Sequence, residues 1–123
     1  MQKILVVDDE FNIRNILDFS LEAEGLQVLS AADGEEAFQT AIKESPDLII
    51  LDVMMPQSDG IETCRRLKKD ARTKAIPVIL LTAKSAKGDR ERGLAAGADD
   101  YIIKPFSPQR VVDRVFAILG VNH

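Results

Sequence analysis

The sequence predicts an α/β domain in which a mainly parallel, five-stranded sheet is covered by helices on both faces. Short apolar runs alternate with longer stretches of helical periodicity, the pattern of a doubly wound sheet with right-handed crossovers. The run from Leu48 to Leu51 contains no polar residue, which is typical of a strand buried on both faces. The length of 123 residues suits one domain that buries roughly two thirds of its unfolded surface. We therefore expect a single domain over residues 1–123.

The strands are predicted from apolar runs and the helices from apolar residues that recur on one helical face. The strand candidates are Ile4 to Val7, Val28 to Ala31, Leu48 to Leu51, Val78 to Leu81 and Tyr101 to Ile103. The core positions predicted for four of the helices are Ile13, Ile16, Leu17 and Leu21, then Ala37, Phe38, Ala41 and Ile42, then Ile61, Cys64 and Leu67, and finally Val111, Val112, Val115 and Leu119.

Local signals set the ends of the helices. The first helix should end before Gly25, and the second should end at the Ser45-Pro46 pair. A fourth helix, about Lys87 to Ala96, has a weak apolar stripe and contains Gly93, which costs about 1 kcal/mol relative to alanine. Ser107 is the predicted N-cap of the fifth helix, with Pro108 at the first helical position.

Composition excludes several classes of function. No apolar run approaches the ~20 residues of a membrane span, and the start MQKILVVDDE does not fit a secretory signal. The single Cys64 cannot form an intrachain disulfide and is predicted to lie in the core, so we expect a cytoplasmic protein. A net charge of -4 argues against direct nucleic-acid binding. The basic run between Arg65 and Lys74 is interpreted as a solvated face.

Polar side chains follow the central strands. Asp8 and Asp9 follow the first strand, Asp52 follows the third, Thr82 ends the fourth and Lys104 follows the fifth. A polar residue at a strand end, or an aspartate that caps a helix, is ordinary, but the set as a whole is not. Carboxylates ~5 Å apart repel by roughly 3 kcal/mol at an effective dielectric of 20. An all-oxygen site of this kind predicts a bound Mg²⁺ rather than zinc.

These residues resemble the receiver domain of two-component response regulators, the family of the chemotaxis regulators. The resemblance covers essentially the whole chain. Its motifs are VVDDE, LDVMMPQSDG around Asp52, LLTA with Thr82 and Ala83, and GADDYIIKPF with Tyr101, Lys104 and Pro105. It implies a flavodoxin-like fold, with five parallel strands in the order 2-1-3-4-5 and five helices.

The resemblance implies a phosphoacceptor site. Asp52 would attack a phosphohistidine of a partner and become an aspartyl phosphate. Asp9, Asp52 and the backbone carbonyl of Met54 are implied as direct Mg²⁺ ligands, with Asp8 binding through a water molecule. Lys104 would pair with the phosphate. The resulting protein is a regulator, and it catalyses only its own Mg²⁺-dependent phosphorylation and dephosphorylation.

The resemblance also implies a switch. Thr82 would donate a hydroxyl hydrogen bond to the phosphate, helped by the backbone N–H of Ala83, and a cis Lys104-Pro105 peptide bond would aim the lysine. Movement of Thr82 would let Tyr101 turn from an exposed to a buried position. The weakly patterned fourth helix is the predicted moving part.

The implied partners are a histidine kinase or phosphotransfer protein and an output domain or downstream protein. The chain has one histidine, His123 at its end, so a partner must supply the phosphohistidine. No output domain follows the fifth helix, which indicates a stand-alone or an excised receiver. In DNA-binding relatives the face of the fourth helix, fifth strand and fifth helix dimerises. Arg110 stands where those relatives usually have an acid, whereas Asp99, Asp100 and Arg114 are compatible with that dimer.

Two alternatives share parts of this pattern. A haloacid-dehalogenase-type phosphatase also uses an aspartate with Thr, Lys and Mg²⁺, but it needs a second acid where this chain has Met54. A flavin carrier would need a phosphate-binding loop after the first strand, where this chain has Asp8 and Asp9. Met54 stands two residues after Asp52, and Lys84 stands two residues after Thr82. Because these positions vary within the family, the lifetime of the phosphorylated state cannot be taken from it.

Overall fold

The computed structural model describes residues 2–55, 58–83 and 88–120. Its main sheet has the five strands β1 (Lys3–Val7), β2 (Gln27–Ala31), β3 (Leu48–Asp52), β6 (Val78–Ala83) and β7 (Asp100–Lys104). They are parallel throughout and lie in the order β2-β1-β3-β6-β7. Two short strands, β4 (Met54–Met55) and β5 (Ser58–Asp59), form a separate antiparallel pair that was not predicted. Since β6 and β7 are the fourth and fifth strands of the sheet, the predicted order 2-1-3-4-5 is confirmed.

The described part of the chain contains the five predicted helices. They are α1 (Phe11–Glu22), α2 (Gly34–Glu44), α3 (Gly60–Lys69), α4 (Asp89–Ala95) and α5 (Pro108–Leu119). The Ser107 side chain accepts a hydrogen bond from the Arg110 N–H at 3.2 Å, as predicted for the cap of α5. Ser45 ends α2 in the left-handed conformation. Lys87, the predicted start of the fourth helix, lies outside the described residues, as do Lys84 and His123.

The core has two halves, one on each face of the sheet. Alternate residues of the strands, such as Leu5 and Ile49, pack with α2 and α3, whereas their neighbours Ile4 and Ile50 pack with α1 and α5. This alternation buries the central strands completely and explains their near-continuous apolar sequence. The buried Cys64 belongs to the first half, as predicted.

Three positions differ from the sequence predictions. Ile16 was placed in the core, but it is 47% exposed because it lies at the edge of the buried stripe of α1. Gly93 was read only as a weak point of the fourth helix. It is buried, and a Cβ atom there would collide with the side chain of Leu80, so glycine lets α4 lie close to β6. The third position is Lys68, which the sequence assigns to a solvated basic face but which is mostly buried.

The basic run has two kinds of member. Arg65, Arg66 and Arg72 form exposed or half-exposed ion pairs with nearby acids, as expected of a solvated face. The Lys68 side chain is only 15% exposed. Its Nζ donates to the Ile76 carbonyl at 2.7 Å and to Asp99 Oδ2 at 2.8 Å. Lys68 therefore ties α3 to the segments that lead into β6 and β7.

None of the helices in the described ranges is both long enough and apolar enough to cross a membrane.

Candidate functional site

The sheet brings the predicted site residues to its carboxyl edge. Asp52 is the last residue of β3, which lies between β1 and β6. Asp8 directly follows β1, Thr82 lies near the end of β6, and Lys104 is the last residue of β7. Because parallel neighbouring strands end on the same side, these side chains meet at one edge, the usual place for a ligand in an open α/β sheet.

Three aspartates converge there. Asp8, Asp9 and Asp52 each offer a carboxylate oxygen, and these oxygens lie within 4.8 Å of one another. Asp8 is 0% exposed and Asp52 is 2% exposed, whereas Asp9 is exposed. Asp8 Oδ1 accepts the Glu10 N–H at 2.9 Å, and Asp52 Oδ1 accepts the Met54 N–H at 3.3 Å.

The other oxygen of each buried carboxylate lacks a hydrogen bond. Within the described ranges, Asp8 Oδ2 and Asp52 Oδ2 are buried and have no hydrogen-bond partner. Lys104 Nζ lies 3.1 Å from Asp52 Oδ1 and 3.8 Å from Asp8 Oδ2. Among the residues that the structure describes, one ammonium therefore pairs with two buried carboxylates, which leaves an excess of negative charge.

The pKa values of both groups are raised, chiefly by burial. Burial raises the pKa of Asp8 to about 6, and the Asp52 charge adds to the effect, while the Glu10 N–H and Lys104 oppose it. Burial also raises the pKa of Asp52, against the opposing effect of Lys104. Orphaned oxygens in an all-oxygen set are what a hard divalent cation would satisfy. The residues present therefore fit Mg²⁺.

The residues predicted to sense the phosphate flank this cluster. Thr82 is 4% exposed and directly follows Leu81, the register partner of Asp52. Ala83 pairs in register with Lys104, and the Lys104–Pro105 peptide bond is cis.

The two remaining predicted residues lie at the margin. Met54 is 66% exposed, and its backbone N–H donates to Asp52 Oδ1. Tyr101 is half-buried against the α2 and α3 half of the core. Its hydroxyl accepts a hydrogen bond from Arg90 Nη1 at 2.9 Å, a contact with α4 that the sequence did not predict.

Sequence reasoning missed Gly60. Its N–H donates to the Val53 carbonyl at 3.0 Å, and a Cβ atom there would overlap the carbonyl oxygen of Asp52. Glycine thus lets the start of α3 pack directly against the backbone that carries Asp52. The signal was present in the Asp59-Gly60 pair, because the Asp59 side chain caps α3 by accepting the Ile61 N–H at 2.9 Å.

A cavity of about 830 Å³ opens over the cluster and contains three further residues that sequence reasoning missed. Asp9, Met54 and Lys104 line it together with Asp59, Asp89 and Arg92. Asp89 and Arg92 belong to α4, which the sequence pattern defined only weakly. Their position over the pocket follows from the packing of α4 against α3 and β6.

Comparison with known proteins identifies the family. The family described as "Response regulator receiver domain" matches residues 4–116. The chain therefore belongs to the receiver domain family of response regulators, and the resemblance drawn from the motifs is confirmed. The haloacid dehalogenase alternative is not supported.

Individual relatives agree with this assignment. The chain is 52% identical over 118 residues to the alkaline phosphatase synthesis transcriptional regulatory protein PhoP of Bacillus subtilis (strain 168), covering 96% of this chain and 48% of PhoP. It is 47% identical to the phosphate regulon transcriptional regulatory protein PhoB of Pseudomonas aeruginosa, covering 94% of this chain and 51% of PhoB. The chain thus spans about half the length of these curated relatives, which are named as regulators rather than enzymes.

A solved structure gives the same fold. The chemotaxis response regulator CheY4 of Vibrio cholerae is 34% identical and superposes with a TM-score of 0.89, covering 96% of this chain and 98% of CheY4.

Proposed function

We propose that this receiver is a phosphoacceptor switch, in which Asp52 takes a phosphoryl group from a phosphohistidine of a histidine kinase or phosphotransfer protein. The observation that carries the proposal is the buried Asp52 carboxylate, which has one oxygen against Lys104 and the other without a hydrogen-bond partner among the described residues. A buried, under-neutralised carboxylate whose neighbours Val53 and Lys104 line an open cavity is suited to react with an incoming electrophile. Membership of the receiver family supports the same role.

The transfer step has a simple balance. A carboxylate oxygen of Asp52 forms a bond to phosphorus while the N–P bond of the phosphohistidine breaks, and the imidazole leaves with the bonding electron pair. Lys104 Nζ, 3.1 Å from Asp52 Oδ1, favours the ionised form of that carboxylate and can then pair with the phosphoryl oxygens. Thr82 and the N–H of Ala83 would donate hydrogen bonds to the same group.

The reaction is proposed to depend on Mg²⁺. Asp9, Asp52 and the backbone carbonyl of Met54 would hold the ion, and Asp8 would bind it through a water molecule. When bound, the ion would neutralise negative charge on the transferring phosphoryl group. The orphaned oxygens of Asp8 and Asp52 support this assignment.

Phosphorylation by a small donor tests the proposal. In acetyl phosphate with Mg²⁺, the protein is expected to gain one phosphoryl group, detected by intact-mass spectrometry. Hydroxylamine should remove it, since it cleaves acyl phosphates. Chelation of Mg²⁺ should lower the rate at least ~100-fold, because the ion stabilises the transition state by several kcal/mol. A protein that stays unmodified in Mg²⁺, or is modified equally well in chelator, would contradict the proposal.

The switch is proposed to run from the phosphate to α4. A phosphoryl group adds about -1.5 to -2 charge and would draw the Thr82 hydroxyl inward, which opens space for the Tyr101 ring. That movement would break the bond between Tyr101 and Arg90, and would thereby release α4 from β7. The short α4 is a suitable moving part, since it has seven residues and Gly93 is its one buried member.

Beryllofluoride, a phosphate mimic, tests the switch. The chain has one tyrosine and no tryptophan, so tyrosine fluorescence reports Tyr101 alone. With Mg²⁺ and beryllofluoride, we expect acrylamide to quench this fluorescence less, because the ring becomes buried, and we expect amide hydrogen exchange in α4 to change. Asp52→Ala is the control, since the mimic needs that carboxylate. Equal quenching and equal α4 protection with and without the mimic would refute the switch.

The output is proposed to be a partner or output domain that regulates transcription, as the names of PhoP and PhoB suggest for those proteins. We place this signalling in the cytoplasm.

A dimer through α4, β7 and α5 is a further proposal, and one observation bears on it. Asp100 already forms an ion pair with Arg114 within the chain, so a dimer that used these residues would have to exchange partners.

A further inference from the structure

We propose that Arg92 is a donor-binding residue of the phosphoacceptor pocket, which recognises the anionic phosphoryl group of a small phosphodonor before transfer. This inference rests on the proposed phosphoacceptor role of Asp52. It gives α4 a direct role in the phosphorylation of Asp52.

Arg92 lies at the pocket, and one of its guanidinium nitrogens is only weakly paired. It lines the same cavity as Asp9, Met54 and Lys104. Its Nη1 donates to Asp89 Oδ1 at 3.1 Å, and its Nη2 lies 3.6 Å from Asp59 Oδ2, beyond a good hydrogen bond. Arg92 is 58% exposed and Asp59 is 46% exposed, so this longer ion pair contributes little and an incoming anion can replace Asp59 at Nη2. The Asp89 carboxylate is only 13% exposed, and its contact with Nη1 can hold the guanidinium at the pocket meanwhile.

The pocket is lined mainly by acidic side chains, so an anionic donor needs a cation to bind there. The lining includes the carboxylates of Asp9, Glu10, Asp59 and Asp89, above the buried Asp8 and Asp52. The cations that line the cavity within the described ranges are Lys104 and Arg92. A phosphodonor that carries negative charge is repelled by such a surface.

The two cations are placed for different tasks. Lys104 lies against both buried carboxylates and is committed to them in the resting state. Arg92 extends from α4, and its Nη2 lies 3.6 Å from Asp59 Oδ2, too far for a good hydrogen bond to that carboxylate. A planar guanidinium suits two phosphoryl oxygens at once, which an ammonium cannot match.

The test compares phosphorylation rates by acetyl phosphate for the wild type, Arg92→Gln, Arg92→Lys and the control Arg65→Gln. Arg65 carries the same charge, pairs with Glu62 on α3 and lines a different surface. With Mg²⁺ and low salt, we expect the rate per unit of donor to fall about tenfold in Arg92→Gln, the usual effect of losing one charge-assisted hydrogen bond. Arg92→Lys should lie between the two, and Arg65→Gln should match the wild type.

Ionic strength separates donor binding from a structural role. If Arg92 attracts the donor, the difference between the wild type and Arg92→Gln should shrink as salt rises, because exposed charges are screened. A rate loss that is independent of salt and equal in Arg92→Lys would overturn the proposal, as would unchanged rates in both variants. Should Arg92→Gln fail to fold, Arg92→Lys decides: it keeps the charge but loses the planar guanidinium, so its rate must lie below that of the wild type and must fall with salt as the wild-type rate does. A wild type that takes up no phosphoryl group would instead refute the underlying function.

Discussion

Asp52→Ala is expected to lower phosphoryl incorporation from acetyl phosphate to less than about one hundredth of the wild-type level, because the substitution removes the nucleophile. The neighbouring carboxylates cannot replace it. Asp8 Oδ2 lies 3.8 Å from Lys104 Nζ, against 3.1 Å for Asp52 Oδ1, and Asp9 is exposed to solvent. Intact-mass spectrometry after a fixed incubation with Mg²⁺ measures the loss.

A second aspartate provides the matched control for this experiment. Asp33 caps α2 by accepting the Glu36 N–H at 2.9 Å, and asparagine caps helices equally well, so Asp33→Asn should fold and be phosphorylated normally. Thermal melting should show both variants folded. A phosphoryl group that remains on Asp52→Ala would place the acceptor on another residue.

Asp8→Asn is expected to stabilise the metal-free protein by about 2 to 3 kcal/mol at neutral pH. The pKa of Asp8 is about 6 in the folded state against 3.8 for the ordinary group. Because the folded state binds this proton more tightly, ionisation of Asp8 disfavours folding. Stability is therefore undiminished at pH values below the unfolded pKa, falls as pH rises from about 4 to 6, and stays lower above that range. Asparagine keeps the shape of the side chain without the charge, and its oxygen can still accept the Glu10 N–H.

Urea unfolding in chelator, at several pH values, measures this effect. The advantage of Asp8→Asn over the wild type should be present at pH 7 and should vanish near pH 4. Added Mg²⁺ should stabilise the wild type more than the variant, because binding offsets the repulsion that the variant lacks. Glu24→Gln, a change at an exposed carboxylate, is the control and should be as stable as the wild type at pH 7 in chelator. A variant that is no more stable than the wild type at pH 7 without metal would contradict the account.

Most of the fold could be predicted because strands that are buried on both faces have uninterrupted apolar sequences. Runs such as Leu48 to Leu51 have no polar residue because both faces of β3 are covered, and the first polar residue after the run marks the edge where the site lies. The short β4–β5 pair could not be predicted. Its four residues lie next to Asp52 and show no periodicity of their own, since two-residue strands are too short to have one.

The site was predictable where it sits on strand ends and unpredictable where it depends on helix packing. Asp8, Asp52 and Lys104 follow apolar runs directly, so their meeting was implied by the parallel sheet. The position of Arg92 depends on how closely α4 lies to β6, and that distance is set by Gly93 against Leu80. Lys68 was misread for a similar reason, because no local pattern shows that a lysine in a basic run turns inward to carbonyl groups of another segment.

The Lys68 contact has a mechanical consequence. Asp99 Oδ2, which Lys68 contacts, also accepts the Val78 N–H at 2.8 Å, while the Asp99 N–H donates to the Val78 carbonyl at 2.9 Å. Hydrogen bonds thus join the amino ends of β6 and β7 to each other and to α3. Their carboxyl ends carry Thr82 and Lys104 and lie against α4. We therefore expect a movement that begins at Thr82 to leave the amino ends of β6 and β7 in place and to displace α4.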